Sequence, residues 1–315
     1  MTMKAVTYRR YGGADVLEYG DRPEPKVGPD TVLVEVRAAA VNPVDWKCRE
    51  GYLDGILDTV FPVIPGWDVA GVVVRPGAAV TEFAAGDEVI GYVREDFLSR
   101  GTFAQYVAAP VRTLARKPSA LSFAEAAGLP LAGLTAYQVL HRVLRVRAGE
   151  TLLVHAAAGA VGSMAVQLGR YLGARVIGAA RESGQERVRA LGGEPVRYGA
   201  GPDELGAQVR ALAPDGVDAA FDIIGGDLLR ATPPLLAPGG RLASVADGGV
   251  TELGGRYAFA RADATDLATL AALAEQGVLE VEIARTYPLE RTADAFRHAE
   301  AGGTGGKVVV TAGPG

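Results

Sequence analysis

The sequence predicts an α/β chain of two domains, a β-rich first part and a doubly wound parallel sheet. Three observations predict it. In the segment Gly149–Arg170, GETLLVHAAAGAVGSMAVQLGR, a short apolar strand runs through a small-residue turn straight into a helix. Near Ser122 the texture changes from β-branched runs between Pro/Gly turns to alternating helix and strand. The length, 315 residues, suits about two domains.

The elements follow in order. Thr31–Ala38 (TVLVEVRA) and Val69–Val74 read as strands. Further strands are expected at Glu88–Tyr92 and Phe103–Ala108, with turns at Gly28-Pro29, Pro76-Gly77 and Gly86-Asp87. Ser122 and Glu125 have capping-box spacing ahead of the helical run that holds Ala126–Leu129. Strands at Thr151–His155, Arg175–Ala179, Val217–Ile223 and Arg241–Val245, with helices between, form the pattern of a parallel sheet covered on both faces. Asp266–Gln276 reads as another helix. The tail reads as strand Val281–Tyr287, helix Arg291–Ala299 and strand Lys307–Thr311. This tail is expected to rejoin the first domain. The bounds become 1–118 with 280–315 for one domain, and 119–279 for the one inserted in it.

Composition narrows the function classes. The chain is 49% apolar and 22% charged, as soluble globular enzymes are. Its net charge of −5 argues against binding nucleic acid by phosphate neutralisation. The short basic cluster Arg142, Arg145 and Arg147 reads as a solvated helix terminus rather than a binding patch. A single cysteine, Cys48, excludes an intrachain disulfide and fits a reducing, cytoplasmic setting. The opening MTMKAVTYRR lacks an apolar signal region, and no apolar run reaches the length of a membrane span.

The turn Ala157-Ala158-Gly159-Ala160-Val161-Gly162 carries the chemistry. A strand, a tight turn and a helix start present backbone N–H groups and a positive helix end to a pyrophosphate. Gly159 lets the backbone approach the phosphates and Gly162 lets the helix pack on the strand; Ala157 stands where the first glycine of G-x-G-x-x-G is usual. NAD sites place an acid at the end of the second strand, on the ribose 2′-OH. That spot is read as Ala180 with Arg181 beside it, which suits a 2′-phosphate and favours NADPH. A register two residues further on makes Glu182 the acid and favours NAD.

Other residues give a family resemblance. Val41-Asn42-Pro43-Val44-Asp45-Trp46-Lys47, Pro65-Gly66-Trp67-Asp68-Val69-Ala70-Gly71, Gly101-Thr102-Phe103-Ala104-Gln105-Tyr106, Leu129–Tyr137 and Gly305-Gly306-Lys307-Val308-Val309 carry it. Together with the opening and the segment Gly149–Arg170, they resemble the zinc-independent quinone oxidoreductases, the zeta-crystallin-like branch of the medium-chain dehydrogenase/reductase superfamily. Ala160 stands where that family usually has glycine, a change tolerated if the local φ stays negative.

The resemblance implies a GroES-like catalytic domain and a Rossmann NADPH-binding domain. It implies hydride transfer from NADPH to a quinone or an α,β-unsaturated carbonyl, in a cytoplasmic homodimer. The alternatives are a dedicated double-bond reductase in a biosynthetic pathway and a non-catalytic NADPH-binding protein. Zinc-dependent relatives carry Cys and a His-Glu pair where this chain has Asn42 and Trp67-Asp68, and His141, His155 and His298 are scattered, so no metal is expected.

By resemblance, Asn42 lies near the nicotinamide and the acceptor carbonyl and donates to a developing oxyanion. Lys47 lies near cofactor or substrate, and Tyr52 and Trp67 line the cleft. Ala158, Gly159, Ala160, Val161 and Gly162 hold the pyrophosphate, with Thr135 near the nicotinamide and Ile224 at its ribose. Arg181 and Ser183 serve the 2′-phosphate, Tyr198 lies near the 2′-phosphate or the adenine, and Gly184 occupies the place of a lysine found in many relatives. Ser244, Phe259 and Lys307 complete the cofactor side.

Overall fold

The computed structural model describes residues 1–199 and 201–312. Its contacts divide the chain into two units. One holds Met1–Leu131, Ala262–Gly277 and Val281 onward; the other holds Ala132–Arg261 and Val278–Glu280. Residues 119–131 and 262–277, which the sequence assigns to the inserted domain, thus group with the first unit. Packing explains it. The helix Phe123–Gly128 lies on the strand Thr31–Ala40, and a Cβ on Gly128 would sit 2.6 Å from Val281 Cγ1. The helix Ala264–Glu275 packs on Leu114–Arg116, and Ser119 Oγ donates to Glu275 at 2.5 Å.

In the first unit the main sheet runs Ile283–Pro288, Lys307–Thr311, Thr31–Ala40, Asp68–Pro76, Glu88–Tyr92, Leu114–Arg116, with Tyr106–Pro110 also paired to Thr31–Ala40. Val34, Val36, Val69, Val73, Val89 and Phe103 are buried in its core. The tail rejoins this sheet as the sequence implies, with Val309 opposite Ala40 and Thr311 opposite Ala38. One expected strand starts later, at Tyr106 rather than Phe103. The Thr102 and Phe103 N–H groups donate instead to Gly66 and Pro65 carbonyls, at 3.0 and 3.1 Å. That close approach needs glycine at 101, where a Cβ would lie 2.3 Å from the Pro65 carbonyl oxygen.

The second unit is built on six parallel strands: β1 (Thr151–Val154), β2 (Arg175–Ala180), β3 (Glu194–Arg197), β4 (Val217–Asp222), β5 (Leu236–Ser244) and β6 (Arg256–Tyr257). Their spatial order is β3-β2-β1-β4-β5-β6, the doubly wound dinucleotide-binding arrangement. Helix α1 (Ala160–Tyr171) follows β1 and buries Met164, Ala165, Val166 and Leu168. β5 begins five residues before the expected start, because Pro238-Gly239-Gly240, a turn by composition, is carried inside the strand with Gly239 at φ +79. Among the described residues no helix is long and apolar enough to cross a membrane.

Candidate active site

In a doubly wound sheet, ligands bind outside the carboxyl ends of the strands where the strand order reverses. Here that point lies between β1 and β4. His155 follows β1, Asp222 ends β4 and Ser244 ends β5, and all three are buried. Asp222 Oδ1 lies 3.0 Å from His155 Nδ1 and accepts the Ile224 and Gly225 N–H at 3.2 and 3.1 Å; Oδ2 accepts the Ser244 hydroxyl at 2.6 Å. Burial alone would raise the Asp222 pKa, but hydrogen bonds from His155, Ser244 and Gly225 outweigh it and hold the group below its ordinary value. Ser244 Oγ in turn accepts the Ala246 and Asp247 N–H, both at 3.1 Å. One carboxylate therefore fixes the loops that leave both β4 and β5. The sequence singled out Ser244 and the position of His155 but not Asp222; its only signal was an acid at the end of an apolar strand.

The phosphate turn starts at Ala156, which holds φ +48, rare for a residue with a Cβ. Gly159 caps α1 and donates its N–H to the Ala156 carbonyl at 2.8 Å. A Cβ on Gly162 would lie 2.1 Å from that same oxygen, so glycine is what lets the helix begin so near the strand. Ala160, Val161 and Gly162 open the helix, and their N–H groups have no intrahelical acceptor. Ala160 is not among the positive-φ residues, so the missing glycine costs nothing there. Ala158 lies in the turn itself.

β2 ends at buried Ala180, and exposed Arg181 comes next. Burial holds the Tyr198 phenol above its ordinary pKa, with the Arg181 charge pulling it partly back. Ser183 and Gly184 form the following turn, and a Cβ on Gly184 would sit 2.7 Å from Ala158 Cβ. The Arg181–Gly184 segment thus packs against the phosphate turn. Glu182 points to exposed Arg197 at 3.4 Å. Ile224 and Phe259 are exposed and Thr135 is buried on the helix Pro130–Gln138. Gln138 clamps the chain just past Phe259 through both polar atoms, at 2.9 and 3.0 Å from the Arg261 backbone.

In the first unit four buried polar side chains come together. Lys307 Nζ donates to Asn42 Oδ1 at 2.5 Å and lies 3.7 Å from Asp68 Oδ2. Asn42 Nδ2 donates to Asp68 Oδ2 at 2.9 Å and to the Ala40 carbonyl at 3.3 Å. Asp68 Oδ1 accepts the Leu131 N–H at 2.9 Å, and Asp45 Oδ2 accepts the Asn42 N–H at 2.7 Å. A cation on one side and a carboxylate on the other fix the Asn42 amide orientation. Burial pushes Asp45 up to about 8 and Asp68 up to about 6, with Lys307 and Asn42 pulling Asp68 back. Burial lowers Lys307, against the pull of Asp68 and Asp45.

This geometry redraws two expectations. Both Asn42 amide hydrogens are engaged inside the protein, which leaves none for a substrate oxyanion. Lys307, carried over to the cofactor side, is buried with its ammonium on Asn42 and Asp68. Trp67 is buried edge-on to Tyr92, at 5.9 Å between ring centres. Lys47 and Tyr52 are exposed, at and just beyond the end of the helix Pro43–Arg49. Asp45 was within reach of sequence reasoning, since Asn42 and Asp45 have cap and N3 spacing.

Residues 28–119 match the model of the alcohol dehydrogenase GroES-like domain, and residues 194–310 match that of the zinc-binding dehydrogenases. The chain is 37% identical, over 98% of its length and 79% of the relative's, to the chloroplastic NADPH-dependent alkenal/one oxidoreductase of Arabidopsis thaliana. It is 35% identical, with the same coverage of 98% and 79%, to the 2-methylene-furan-3-one reductase of Solanum lycopersicum. The solved quinone oxidoreductase of Coxiella burnetii superposes with a TM-score of 0.86 at 30% identity, over 99% of this chain and 100% of that one. The chain belongs to the quinone oxidoreductase, zeta-crystallin-like branch of the medium-chain dehydrogenase/reductase superfamily.

Oxidoreductases of this superfamily use a nicotinamide cofactor, and the second unit fits one: glycine where a Cβ would fill the cradle, and free N–H groups at a helix start. Zinc fits less well, although one matching model carries it in its description. A catalytic zinc takes about three Cys, His or carboxylate ligands. Among the described residues no three His, Cys, Asp or Glu gather to hold an ion. Asp68 is instead bonded to Asn42 and Leu131, and burial pushes the Cys48 thiol pKa up, away from the thiolate a metal needs.

Proposed function

We propose that this oxidoreductase passes hydride from NADPH to a quinone or an α,β-unsaturated carbonyl without zinc. The observation that carries the cofactor choice is the end of β2. A buried alanine stands there, followed by exposed Arg181, whose charge pulls on the Tyr198 phenol, and the segment it opens meets the phosphate turn at Gly184. A guanidinium suits the 2′-phosphate that distinguishes NADPH. The two plant relatives named above, an alkenal/one oxidoreductase and a furanone reductase, support a conjugated carbonyl acceptor, and the Coxiella burnetii protein a quinone.

The cofactor supplies the hydride; the protein binds, orients and keeps water out. An enone accepts hydride at its β-carbon, the pair of electrons moves to oxygen, and a proton from solvent completes the α-carbon. Such acceptors need little polarisation, which suits a chain whose described residues gather no zinc ligand set. Residues of the phosphate turn, with Arg181, Ser183 and Tyr198, hold the cofactor. Thr135, Ile224, Ser244 and Phe259 stay on its nicotinamide side. By resemblance to the family, Lys47 and Tyr52, both exposed, are assigned to the acceptor, with Asn42 and Trp67 buried in the first unit. We assign the working form as a cytoplasmic homodimer.

The test follows cofactor oxidation at 340 nm with NADPH and NADH against small quinones, enones and aldehydes. Turnover is expected with NADPH and with quinones or enones. Arg181→Ala should raise KM for NADPH about tenfold, the worth of one charge-assisted contact, and leave KM for NADH unchanged. Equal effects on both cofactors, or a wild-type preference for NADH, would refute the assignment of Arg181.

A further inference from the structure

The fold adds two arginines to a basic cluster that the sequence presents as a solvated helix end. The second unit has a cavity of about 320 Å³ walled by Arg145, Arg241 and Arg256 and by Val143, Leu144 and Leu242. Arg241 is bound by Glu150, the residue before β1, at 3.0 and 2.6 Å. It lies three residues before Ser244, roughly 10 Å along β5 from the carboxyl end. Arg145 precedes β1, so this wall of the cavity lies toward the amino ends of the strands, while Arg256 opens β6 opposite Ala243 and forms another wall; His155, Asp222 and Ser244 are not part of the lining. Arg145 and Arg256 are exposed and, among the described residues, have neither an ion pair nor a side-chain hydrogen bond. Two unneutralised guanidinium groups thus line one cavity of a chain whose net charge is −5.

The backbone points the same way. Residues Val139–Val143 form a π turn, and the chain leaves it through Arg145 at φ +51. π turns and left-handed non-glycine residues concentrate at functional positions. Glycine would serve this backbone better; what arginine adds is its guanidinium. Planar guanidinium forks match phosphate oxygens two at a time. The volume stands at the small end of ligand pockets, fitting a small anion rather than a dinucleotide.

We propose that this cavity is a second anion site, which takes inorganic phosphate or a small phosphomonoester. The site stands independently of the cofactor assignment. Calorimetric titration of the full chain with inorganic phosphate at constant ionic strength tests it, with and without saturating NADP+. The variants are Arg145→Gly, Arg256→Ala, their double and Arg181→Ala. Glycine accepts the left-handed backbone freely, so Arg145→Gly removes the charge and keeps the turn.

One phosphate per chain is expected with NADP+ present. It should weaken about tenfold in each single variant, vanish in the double and persist in Arg181→Ala. Tighter binding of glycerol 3-phosphate than of phosphate would assign the ester; equal binding would assign the free ion. Absence of binding to the wild type overturns the proposal. So does phosphate binding that the double variant retains and Arg181→Ala loses, since that phosphate sits in the cofactor crevice.

Discussion

Replacing Lys307 with methionine isolates the energetics of the buried cluster in the first unit. Methionine keeps the length and apolar stem and removes only the ammonium. Asp68 then retains two donors, Asn42 Nδ2 and the Leu131 N–H, both at 2.9 Å, but loses the cation 3.7 Å away while fully buried. Asn42 Oδ1 loses its donor as well. Removing one partner of a buried pair costs about 3–5 kcal/mol, whereas removing both is often close to neutral. Lys307→Met should therefore destabilise the first unit by about 3–5 kcal/mol at pH 7.5, and Lys307→Met with Asp68→Asn should recover at least half of that. The loss should also shrink at pH 5, where an uncompensated Asp68 takes up a proton. Both tryptophans of the chain, Trp46 and Trp67, lie in the first unit, so denaturant unfolding followed by their fluorescence reports that unit alone. A single variant within 1 kcal/mol of wild type, or a double no better than the single, would refute the reasoning (thresholds of about one hydrogen bond's net worth).

Two further predictions rest on the same structure. Asp45 is raised by burial to about 8, so its protonated form is favoured in the folded state; the stability it gives is complete below the unfolded value of 3.8 and is lost as pH rises through about 8. Relative to Asp45→Asn, the wild type should lose at least about 1.4 kcal/mol between pH 5 and pH 8, one pKa unit's worth, and a pH-independent difference would contradict it. In the phosphate turn, a Cβ at Gly162 meets the Ala156 carbonyl at 2.1 Å and one at Gly159 only at 3.2 Å. Gly162→Ala should abolish cofactor binding or cost about 3 kcal/mol, while Gly159→Ala folds within about 1 kcal/mol of wild type, as thermal melts and cofactor titration would show.

The sequence by itself determined the two-part architecture, because periodicity, turn chemistry and the strand–turn–helix at Gly149–Arg170 are local signals. Lys307–Thr311 was legible to the residue, as a β-branched run bounded by glycine. Local composition misled where backbone bonding went elsewhere, as at Phe103 and at Pro238-Gly239-Gly240. Tertiary structure alone decided which polar groups meet. Nothing in the spacing of Asn42, Asp68 and Lys307 tells that 26 residues separate the first pair and 265 join Asn42 to Lys307 in one hydrogen-bonded cluster. The same holds for Arg145 beside Arg241 and Arg256. Hydrophobic pattern repeats with the period of its own helix or strand and can be read along the chain. The pairing of buried charges depends on which strands become neighbours, and that is fixed only when the sheet closes.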